Sequence, residues 1–118
     1  MPWIYTQSTG VMSGPNGEHY QGYSGNGMYR NNPDAEDRRN EGPIPQGQWN
    51  INLTPYHGNG GPNSLALTPV NHNAHGRTDF VIHGDNIQGN ASTGCIILPL
   101  NARQAIMRSG DNILIIER

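Results

Sequence analysis

The sequence has no lysine, one cysteine and no long hydrophobic run, and these gaps exclude several classes of protein. Its seven basic residues are all arginines scattered along the chain, and the formal net charge is −2. A surface that grips phosphates needs clustered positive charge, so nucleic acid is not an expected partner. The longest apolar run falls far short of the ~20 residues of a membrane-spanning helix. We therefore expect neither a nucleic-acid-binding protein nor a membrane span.

We also expect neither an export signal nor an internal disulfide. The N-terminus, Met1 to Tyr5, shows no basic stretch followed by an apolar segment, so we expect no secretory signal peptide. A protein of this kind that acts outside its own cytoplasm needs another route. The lone Cys95 cannot form an internal disulfide, so it is either a small buried side chain or a reactive thiol.

Glycine and proline are plentiful, with 16 and 9 residues, while only 33% of the 118 residues are hydrophobic. Such a composition favours short strands joined by turns over long helices. The apolar runs 80–82 and 113–116, and a charged fraction of only 14%, favour a folded chain over a disordered one. The length fits one domain covering residues 1–118. We therefore expect a single domain of short strands and many loops.

Turn residues and apolar alternation place the individual elements. A single helix is expected at 101–109, capped by Asn101 and ended by Gly110. Residues 24–41 are expected to form a long loop with one helical turn after Pro33, and residues 57–63 a glycine-rich loop. Strands are expected at residues 3–7, 11–12, 19–23, 48–53, 64–70, 79–83, 96–98 and 112–117.

The chemistry of the sequence is concentrated in the segment VIHGDNIQGNASTGCIIL, residues 81–98. An apolar strand ends at His83, a polar loop follows, and Cys95 leads into a second apolar strand. Two neighbouring strand ends can bring an imidazole and a thiol together. A nearby imidazole promotes formation of the thiolate, the form that attacks a carbonyl. The pattern indicates Cys95 as a nucleophile and His83 as its base.

Neighbouring residues fit supporting roles in such a site. Gly94 lets the backbone approach a substrate closely, and the amides of Gly94 and Cys95 can point at the oxyanion of a tetrahedral intermediate. A third group has to orient the imidazole of His83. Either the backbone carbonyl of Gly84 or the carboxylate of Asp85 can do so, and the residues alone do not choose between them.

Two other interpretations of these residues remain open. A cysteine between glycine and isoleucine is often simply a buried hydrophobe, which would fit a binding or structural module. A zinc site is the rival chemistry, because His72 and His75 lie close in sequence and zinc accepts histidine and cysteine ligands. No HExxH or CxxC spacing is present, so we predict neither a metal nor another cofactor.

The pattern HG, a short loop, then SxGC followed by apolar residues resembles the active-site motif of L,D-transpeptidases with the YkuD-like fold. PQGQW at residues 45–49 resembles the P-x-G-x-aromatic element that precedes a core strand in that superfamily. The similarity is closer to one branch, the L,D-transpeptidase-related effectors of bacterial type VI secretion. It covers nearly the whole chain and rests on the segments MPWIYTQSTG, SGNGMYRNNPDAE, GPIPQGQW, LTPVNHNAHGRTDFVIHGDN and ASTGCIIL.

The resemblance implies a mainly β L,D-transpeptidase domain, sandwich- or barrel-like, with one short C-terminal helix. Its substrate would be the stem peptide of peptidoglycan, cleaved between the L-centre of diaminopimelate and the terminal D-alanine. Water as acceptor gives L,D-carboxypeptidase activity, and a D-amino acid gives exchange. The protein would be made in the cytoplasm and delivered by type VI secretion components into the periplasm of a rival cell. A cognate immunity protein would protect the producer.

Matching positions carry the expected roles of the family. Cys95 takes the nucleophile role and His83 the base role, while Gly84 would orient the imidazole through its carbonyl. Ser92 and Gly94 would belong to the loop that shapes the oxyanion site.

Two charged residues are further candidates beside that motif. Asp85 is a candidate for contact with the substrate or with His83. Arg77 is a candidate for contact with a substrate carboxylate, and its alternative interpretation is a surface charge beside the strand.

The sequence departs from cross-linking members of the superfamily at two positions. Those enzymes usually carry arginine two positions after the cysteine, where Ile97 stands here, and histidine or arginine where Thr93 stands. The differences favour trimming and exchange over cross-linking. A housekeeping L,D-transpeptidase is the enzyme alternative, although it would need an export signal or an anchor. A non-catalytic cell-wall-binding module is the alternative from another class.

Overall fold

The computed structural model describes residues 2–58, 61–86, 88–89 and 91–118, and these form ten strands and one α-helix. The predicted mainly β fold with one short C-terminal helix is confirmed. The strands are β1 (Trp3–Thr6), β2 (Val11–Ser13), β3 (His19–Gln21), β4 (Tyr23–Ser24), β5 (Gly47–Ile51), β6 (Tyr56–Gly58), β7 (Gly61–Val70), β8 (Val81–His83), β9 (Ile96–Ile97) and β10 (Ile113–Glu117); the helix is α1 (Leu100–Ser109). Short 3-10 turns lie at Gly27–Tyr29, Pro33–Ala35 and Ala74–Gly76, the second of them at the predicted turn after Pro33.

The two edges of the sheet are contributed by one short stretch of chain. The strand order is β3-β2-β1-β10-β5-β7-β8-β9-β4, with β6 paired to β7. Only Gly22 separates β3 from β4, and a side chain there would lie 2.1 Å from the carbonyl oxygen of Ile97 in β9. The first and last strands of the sheet therefore follow each other in the chain, which curls the sheet into a barrel-like shape.

Alternate residues of the central strands build the core. Trp3 and Tyr5 of β1 are fully buried, and the parallel register sets them beside Leu114 and Ile116 of β10. Removing a large apolar side chain from water stabilises the fold by about 1.5–3 kcal/mol. The apolar run at 113–116, which predicted a strand from sequence, thus lies at the centre of the sheet.

The predicted element at residues 45–49 connects the core to the functional segment. Trp49 is fully buried, and its indole N–H donates to the carbonyl of Pro45 (3.0 Å). Its ring meets the rings of Phe80 and His72 edge-on, with centroids 5.1 and 5.2 Å apart. Such aromatic pairs add to the stabilisation from burial. Because Phe80 directly precedes β8, the Trp49 contact fixes the start of the strand that ends at His83.

Helix α1 begins at Leu100, and the residue in the cap position is Pro99, not Asn101 as predicted. A proline has a fixed φ and no N–H, so it suits the position just before the first turn. Asn101 lies inside that turn, where its side chain accepts from the amide of Ala102 (3.0 Å). Gly110 ends the helix in the left-handed conformation (φ +71°), as predicted.

The glycine-rich loop predicted at 57–63 is in part a hairpin. Strand β6 pairs with the beginning of β7, with Tyr56 opposite Ser64 and Gly58 opposite Gly61, while residues 59 and 60 lie outside the described residues. This pairing joins backbone groups in a segment with few side chains to pack, so apolar alternation did not reveal it. None of the helices in the described ranges is long and apolar enough to cross a bilayer.

Candidate active site

His83 ends one strand, Cys95 directly precedes the neighbouring parallel strand, and both line the same cleft, whose volume is ≈ 1350 Å³. Strand β8 ends at His83, and Cys95 directly precedes β9. Their register sets Ile82 opposite Ile96 and His83 opposite Ile97. His83 is therefore only two positions farther along the strand direction than Cys95, and alternation turns both side chains to one face of the sheet. The structure thus brings the two principal predicted residues together.

The imidazole of His83 is oriented by the backbone of the next residue. Its Nδ1 lies 2.7 Å from the carbonyl oxygen of Gly84, and the side chain is buried. A carbonyl oxygen can only accept, so Nδ1 carries the proton and Nε2 keeps a free electron pair. Of the two orienting groups that the sequence left open, the Gly84 carbonyl occupies this position.

The carboxylate of Asp85 contacts other groups. Its Oδ1 accepts from the hydroxyl of Tyr23 (2.6 Å) and from the amide of Asn86 (2.8 Å). The expectation that Asp85 contacts His83 is therefore wrong in this arrangement, because β4 supplies a closer donor. Asp85 still lines the cleft, so contact with a substrate remains a prediction.

The thiol of Cys95 is directed toward the segment that precedes β8. Its Sγ lies 3.6 Å from the carbonyl oxygen of Asp79, and among the hydrogen bonds of the described residues none joins it to His83. Burial raises the pKa of the Cys95 thiol, although the backbone N–H of Val81 and the positive charge of Arg77 oppose the rise. The resting cysteine is therefore a protonated thiol at neutral pH.

Asp79 owes its contact with the thiol to an unusual backbone conformation. Its φ is +68°, in the left-handed region that side-chain-bearing residues rarely adopt, so the strand predicted from residue 79 begins only at Val81. A conformation of this kind costs about 1–3 kcal/mol and persists only where surrounding contacts enforce it. Strained residues of this type are frequent in active sites, and this one borders the cleft beside Cys95.

Ser92 holds the loop that leads into Cys95 by three hydrogen bonds. Its buried hydroxyl donates to the carbonyl of Cys95 (2.6 Å) and accepts from the amides of Gly25 (2.9 Å) and Gly94 (3.1 Å). The amide of Gly94 thus points at Ser92. The expectation that it faces an oxyanion is wrong for this conformation, and of the two predicted donors the Cys95 amide remains.

Gly94 is required by both its conformation and its surroundings. Its φ is +133°, and a side chain there would lie 2.4 Å from Nη2 of Arg77 and 3.1 Å from the ring of Phe80. Its carbonyl accepts from the hydroxyl of Ser24 (2.8 Å). The glycine that precedes Cys95 therefore lets three separate segments meet at this point.

Arg77 is a buried structural residue, so the interpretation of it as a surface charge is wrong. Its Nη1 donates to the carbonyls of Glu36 (2.6 Å) and Pro43 (2.8 Å), and its Nη2 donates to those of Gly42 (3.0 Å) and Thr93 (3.3 Å). Only 6% of the residue is exposed. Both terminal nitrogens thus donate to backbone carbonyls. Through these bonds Arg77 ties the 24–41 loop and residues 42–43 to the loop before Cys95.

A clamp that the sequence did not reveal closes over the loop between β8 and β9. We define this clamp as Tyr23 and Arg30 with the loop groups that they hold. The hydroxyl of Tyr23 accepts from the amide of Ala91 (3.1 Å) while it donates to Asp85. The guanidinium of Arg30 lies 3.8 Å from the centre of the Tyr23 ring and donates to the carbonyl of Gly89.

Arg103 of α1 is a second residue that the sequence did not single out. It is buried, and it donates from Nε to the carbonyl of Leu98 (3.2 Å) and from Nη1 to that of Pro62 (3.0 Å). A side chain at position 84 would lie 2.9 Å from its Nη2. A side chain after His83 would therefore displace the end of the Arg103 side chain, which fills this space.

The two histidines of the alternative metal site have different partners. His72 contacts the carbonyl of Gln48 through Nε2 (3.0 Å), while His75 contacts the carboxylate of Glu36 (2.7 Å). Over the ranges that the structure describes, no group of three histidine, cysteine, aspartate or glutamate side chains has the geometry to hold a metal ion.

Comparison with known proteins identifies the family. The model of the Tlde1 domain matches residues 18–112, which covers the candidate site and most of the chain. Searches of curated proteins and of solved structures return no match. The matched range includes His83, Cys95 and the loop between them. The chain therefore belongs to the Tlde1 domain family, a family of type VI secretion L,D-transpeptidase effectors.

Proposed function

We propose that the protein removes or exchanges the terminal D-alanine of the peptidoglycan stem tetrapeptide through a Cys95 acyl-enzyme. One observation carries the proposal: the Gly84 carbonyl fixes the tautomer of His83 that leaves Nε2 as an acceptor, in the cleft that Cys95 also lines. A thiol whose pKa is raised by burial needs such a base. Membership of the Tlde1 family supports peptidoglycan as the substrate.

Acylation begins when the thiol leaves the Asp79 carbonyl and turns toward His83. Nε2 takes the proton as Sγ attacks the carbonyl carbon of the diaminopimelate–D-alanine bond. The amide of Cys95 stabilises the oxyanion. The C–N bond then breaks, the imidazolium returns its proton to the leaving amine, and D-alanine departs. The product of this step is a thioester between Cys95 and the shortened peptide.

Deacylation again uses His83 as the base, now for the group that attacks the thioester. Nε2 of His83 takes a proton from water or from the amine of a D-amino acid, which attacks the thioester carbonyl. The C–S bond breaks, and the thiol of Cys95 is restored. Water gives the tripeptide and hence L,D-carboxypeptidase activity, and a D-amino acid gives an exchanged tetrapeptide.

The position of Ile97 supports trimming and exchange over cross-linking. Ile97 is buried between β8 and β4, opposite His83 and Tyr23, in the position where cross-linking relatives usually carry arginine. An apolar residue buried there offers no charge to a second stem peptide. A housekeeping cross-linking role is therefore the less supported alternative.

The biological setting of the proposal follows from the family. A type VI effector is loaded in the cytoplasm of the producer and acts in the periplasm of the target cell. Loss of D-alanine, or its exchange, alters the stem peptides of that cell and would damage its wall. A cognate immunity protein in the producer and components of the secretion apparatus are the expected partners.

The test is to incubate purified tetrapeptide muropeptides with the wild type, Cys95→Ala and His83→Ala, and to separate the products by chromatography. We expect tripeptide and free D-alanine from the wild type. For each variant the rate of D-alanine release should be lower by a factor of about a thousand or more. Arg108→Ala, an exposed change at the far end of α1, is the matched control. Equal activity in the wild type and Cys95→Ala would reject the nucleophile assignment.

A further inference from the structure

Cys95 borders a second cleft in addition to the one that it shares with His83. The second cleft has a volume of ≈ 520 Å³, and Arg39 and Asn40 line it together with Thr78 and Asp79, which also line the larger cleft. The reacting sulfur thus lies where two cavities meet. An enzyme that breaks a peptide bond at this sulfur has to hold the acyl part and the leaving part in different places.

Arg39 is the uncommitted guanidinium of the smaller cleft. The terminal nitrogens of Arg77 are occupied by four backbone carbonyls. The neighbouring Arg38, in turn, pairs with Glu41 (2.9 Å) and lies over the ring of Tyr29. Arg39 is exposed, and within the described part of the chain it has no hydrogen bond or ion pair. A guanidinium in this state can bind a carboxylate through two parallel hydrogen bonds.

We infer that the smaller cleft receives the departing D-alanine and that Arg39 binds its α-carboxylate. The same position would hold the carboxylate of an incoming D-amino acid during exchange. This inference rests on the proposed function and adds to it the residue that selects a substrate with a free terminal carboxylate. Arg39 is a binding residue here, because it contacts the leaving group and not the reacting atoms.

The sizes and charges of the two clefts support this assignment. The acyl part of a stem tetrapeptide contains three residues and needs the larger cleft, whereas a single D-alanine fits the smaller one. Asp79 lies at the border of both clefts and repels a carboxylate placed beside it. The terminal carboxylate is therefore drawn away from Asp79 toward Arg39, the free positive charge on that side of Cys95.

The experiment compares two substrates with four proteins. The substrates are a stem tetrapeptide that ends in D-alanine and the same peptide that ends in D-alaninamide, which lacks the terminal charge. The proteins are the wild type, Arg39→Ala, Arg39→Lys and the matched control Arg108→Ala. Steady-state kcat and KM for release of the terminal residue are measured for each pair.

We expect the wild type and Arg108→Ala to prefer the acid over the amide by about tenfold or more in kcat/KM, the value of one lost charged hydrogen bond. In Arg39→Ala the preference should fall to about one through a higher KM for the acid, while cleavage of the amide is unchanged. Unchanged cleavage of the amide also shows that the variant is folded. Arg39→Lys should recover part of the preference, because it keeps the charge and loses the paired geometry.

Three results would overturn the inference, and they are distinguishable. If the wild type releases D-alanine and Arg39→Ala keeps the preference for the acid, the carboxylate is bound elsewhere while the proposed function stands. If the wild type releases neither D-alanine nor D-alaninamide, the proposed function fails and the inference fails with it. Equal losses on both substrates in Arg39→Ala would also reject a carboxylate-specific role.

Discussion

His83 and Gly84 are consecutive residues, and Nδ1 of the first lies 2.7 Å from the carbonyl oxygen of the second. The group that orients the imidazole is therefore part of the backbone and is independent of any acidic side chain. Two features keep the carbonyl in place. Gly84 directly follows β8, which ends at His83, and Nη2 of Arg103 lies 2.9 Å from where a side chain at position 84 would begin. The imidazole of His83 is thus held by the fold itself.

The raised pKa of Cys95 predicts slow alkylation of the folded protein. Burial disfavours the thiolate, so at pH 7–8 the folded protein should react with iodoacetamide more slowly than the urea-unfolded chain. The pH midpoint of the reaction should lie above the value of about 8.5 for a free cysteine. Labelling quenched at a series of times and analysed by mass spectrometry measures both the rate of alkylation and its pH midpoint. A midpoint below that of a free cysteine would indicate a resting thiolate–imidazolium pair and contradict this prediction.

The raised pKa of Cys95 also predicts how the free energy of unfolding depends on pH. Between the two pKa values the folded state keeps a thiol proton that the unfolded state has lost. The contribution of Cys95 to stability is therefore complete below the pKa of the unfolded thiol and is lost as the pH rises toward the raised folded pKa. Urea denaturation of the wild type and Cys95→Ala at several alkaline pH values should show this fall only in the wild type. If the free energies of unfolding of the two proteins changed in parallel with pH, the raised pKa of Cys95 would be contradicted.

Ser92→Ala should impair catalysis as well as stability. The change leaves the buried amides of Gly25 and Gly94 without their acceptor, which costs about 1–3 kcal/mol for each unsatisfied group. Loss of the bond to the Cys95 carbonyl also loosens the loop before Cys95, so on the proposed function kcat should fall by about a hundredfold. The measurements are urea denaturation and steady-state kinetics.

Ser109→Ala is the matched control for Ser92→Ala. Its hydroxyl also takes part in three hydrogen bonds, with the indole of Trp3, the carbonyl of Ile106 and the amide of Asp111, at the end of α1. Stability should fall in this variant while kcat stays at the wild-type value. If Ser92→Ala also keeps its kcat, the loop does not depend on Ser92 for its catalytic geometry.

Two tyrosines in different surroundings give opposite predictions for the same change. The hydroxyl of Tyr5 is fully buried and has no hydrogen-bond partner among the described residues, so Tyr5→Phe should raise the free energy of unfolding by up to about 1 kcal/mol. The hydroxyl of Tyr23 donates to Asp85 and accepts from Ala91, so Tyr23→Phe should destabilise the loop over the site and reduce activity. Denaturant titration and kinetics test both. Destabilisation by Tyr5→Phe would reveal an unrecognised partner for that hydroxyl.

The elements that carry apolar patterning were predictable from the sequence. The run at 113–116 forms the central β10, and Gly110 ends the helix as its position predicted. Strand β6 was missed because its pairing depends on backbone groups at the start of β7. Burial of Arg77 was missed because its acceptors are carbonyls from residues 36–43, which no local pattern relates to it.

The site shows the same division between local and distant contacts. Cys95 and His83 were predictable because each lies at the end of an apolar run, next to a glycine. The direction of the Cys95 thiol was not, since it depends on the positive φ of Asp79. The Tyr23 contact with Asp85 joins residues 62 positions apart, which only the closure of the sheet brings together.

The central claim is that Cys95 becomes acylated by the stem peptide, and rapid-quench mass spectrometry tests it most directly. Wild-type protein is mixed with the stem tetrapeptide, stopped in acid within milliseconds to seconds, and analysed both intact and after proteolysis. We predict a thioester adduct whose mass equals the tetrapeptide minus D-alanine, located on the peptide that contains Cys95 and absent from Cys95→Ala. Release of D-alanine by the wild type with no adduct on Cys95 at any time, or with the adduct on another residue, would contradict the account.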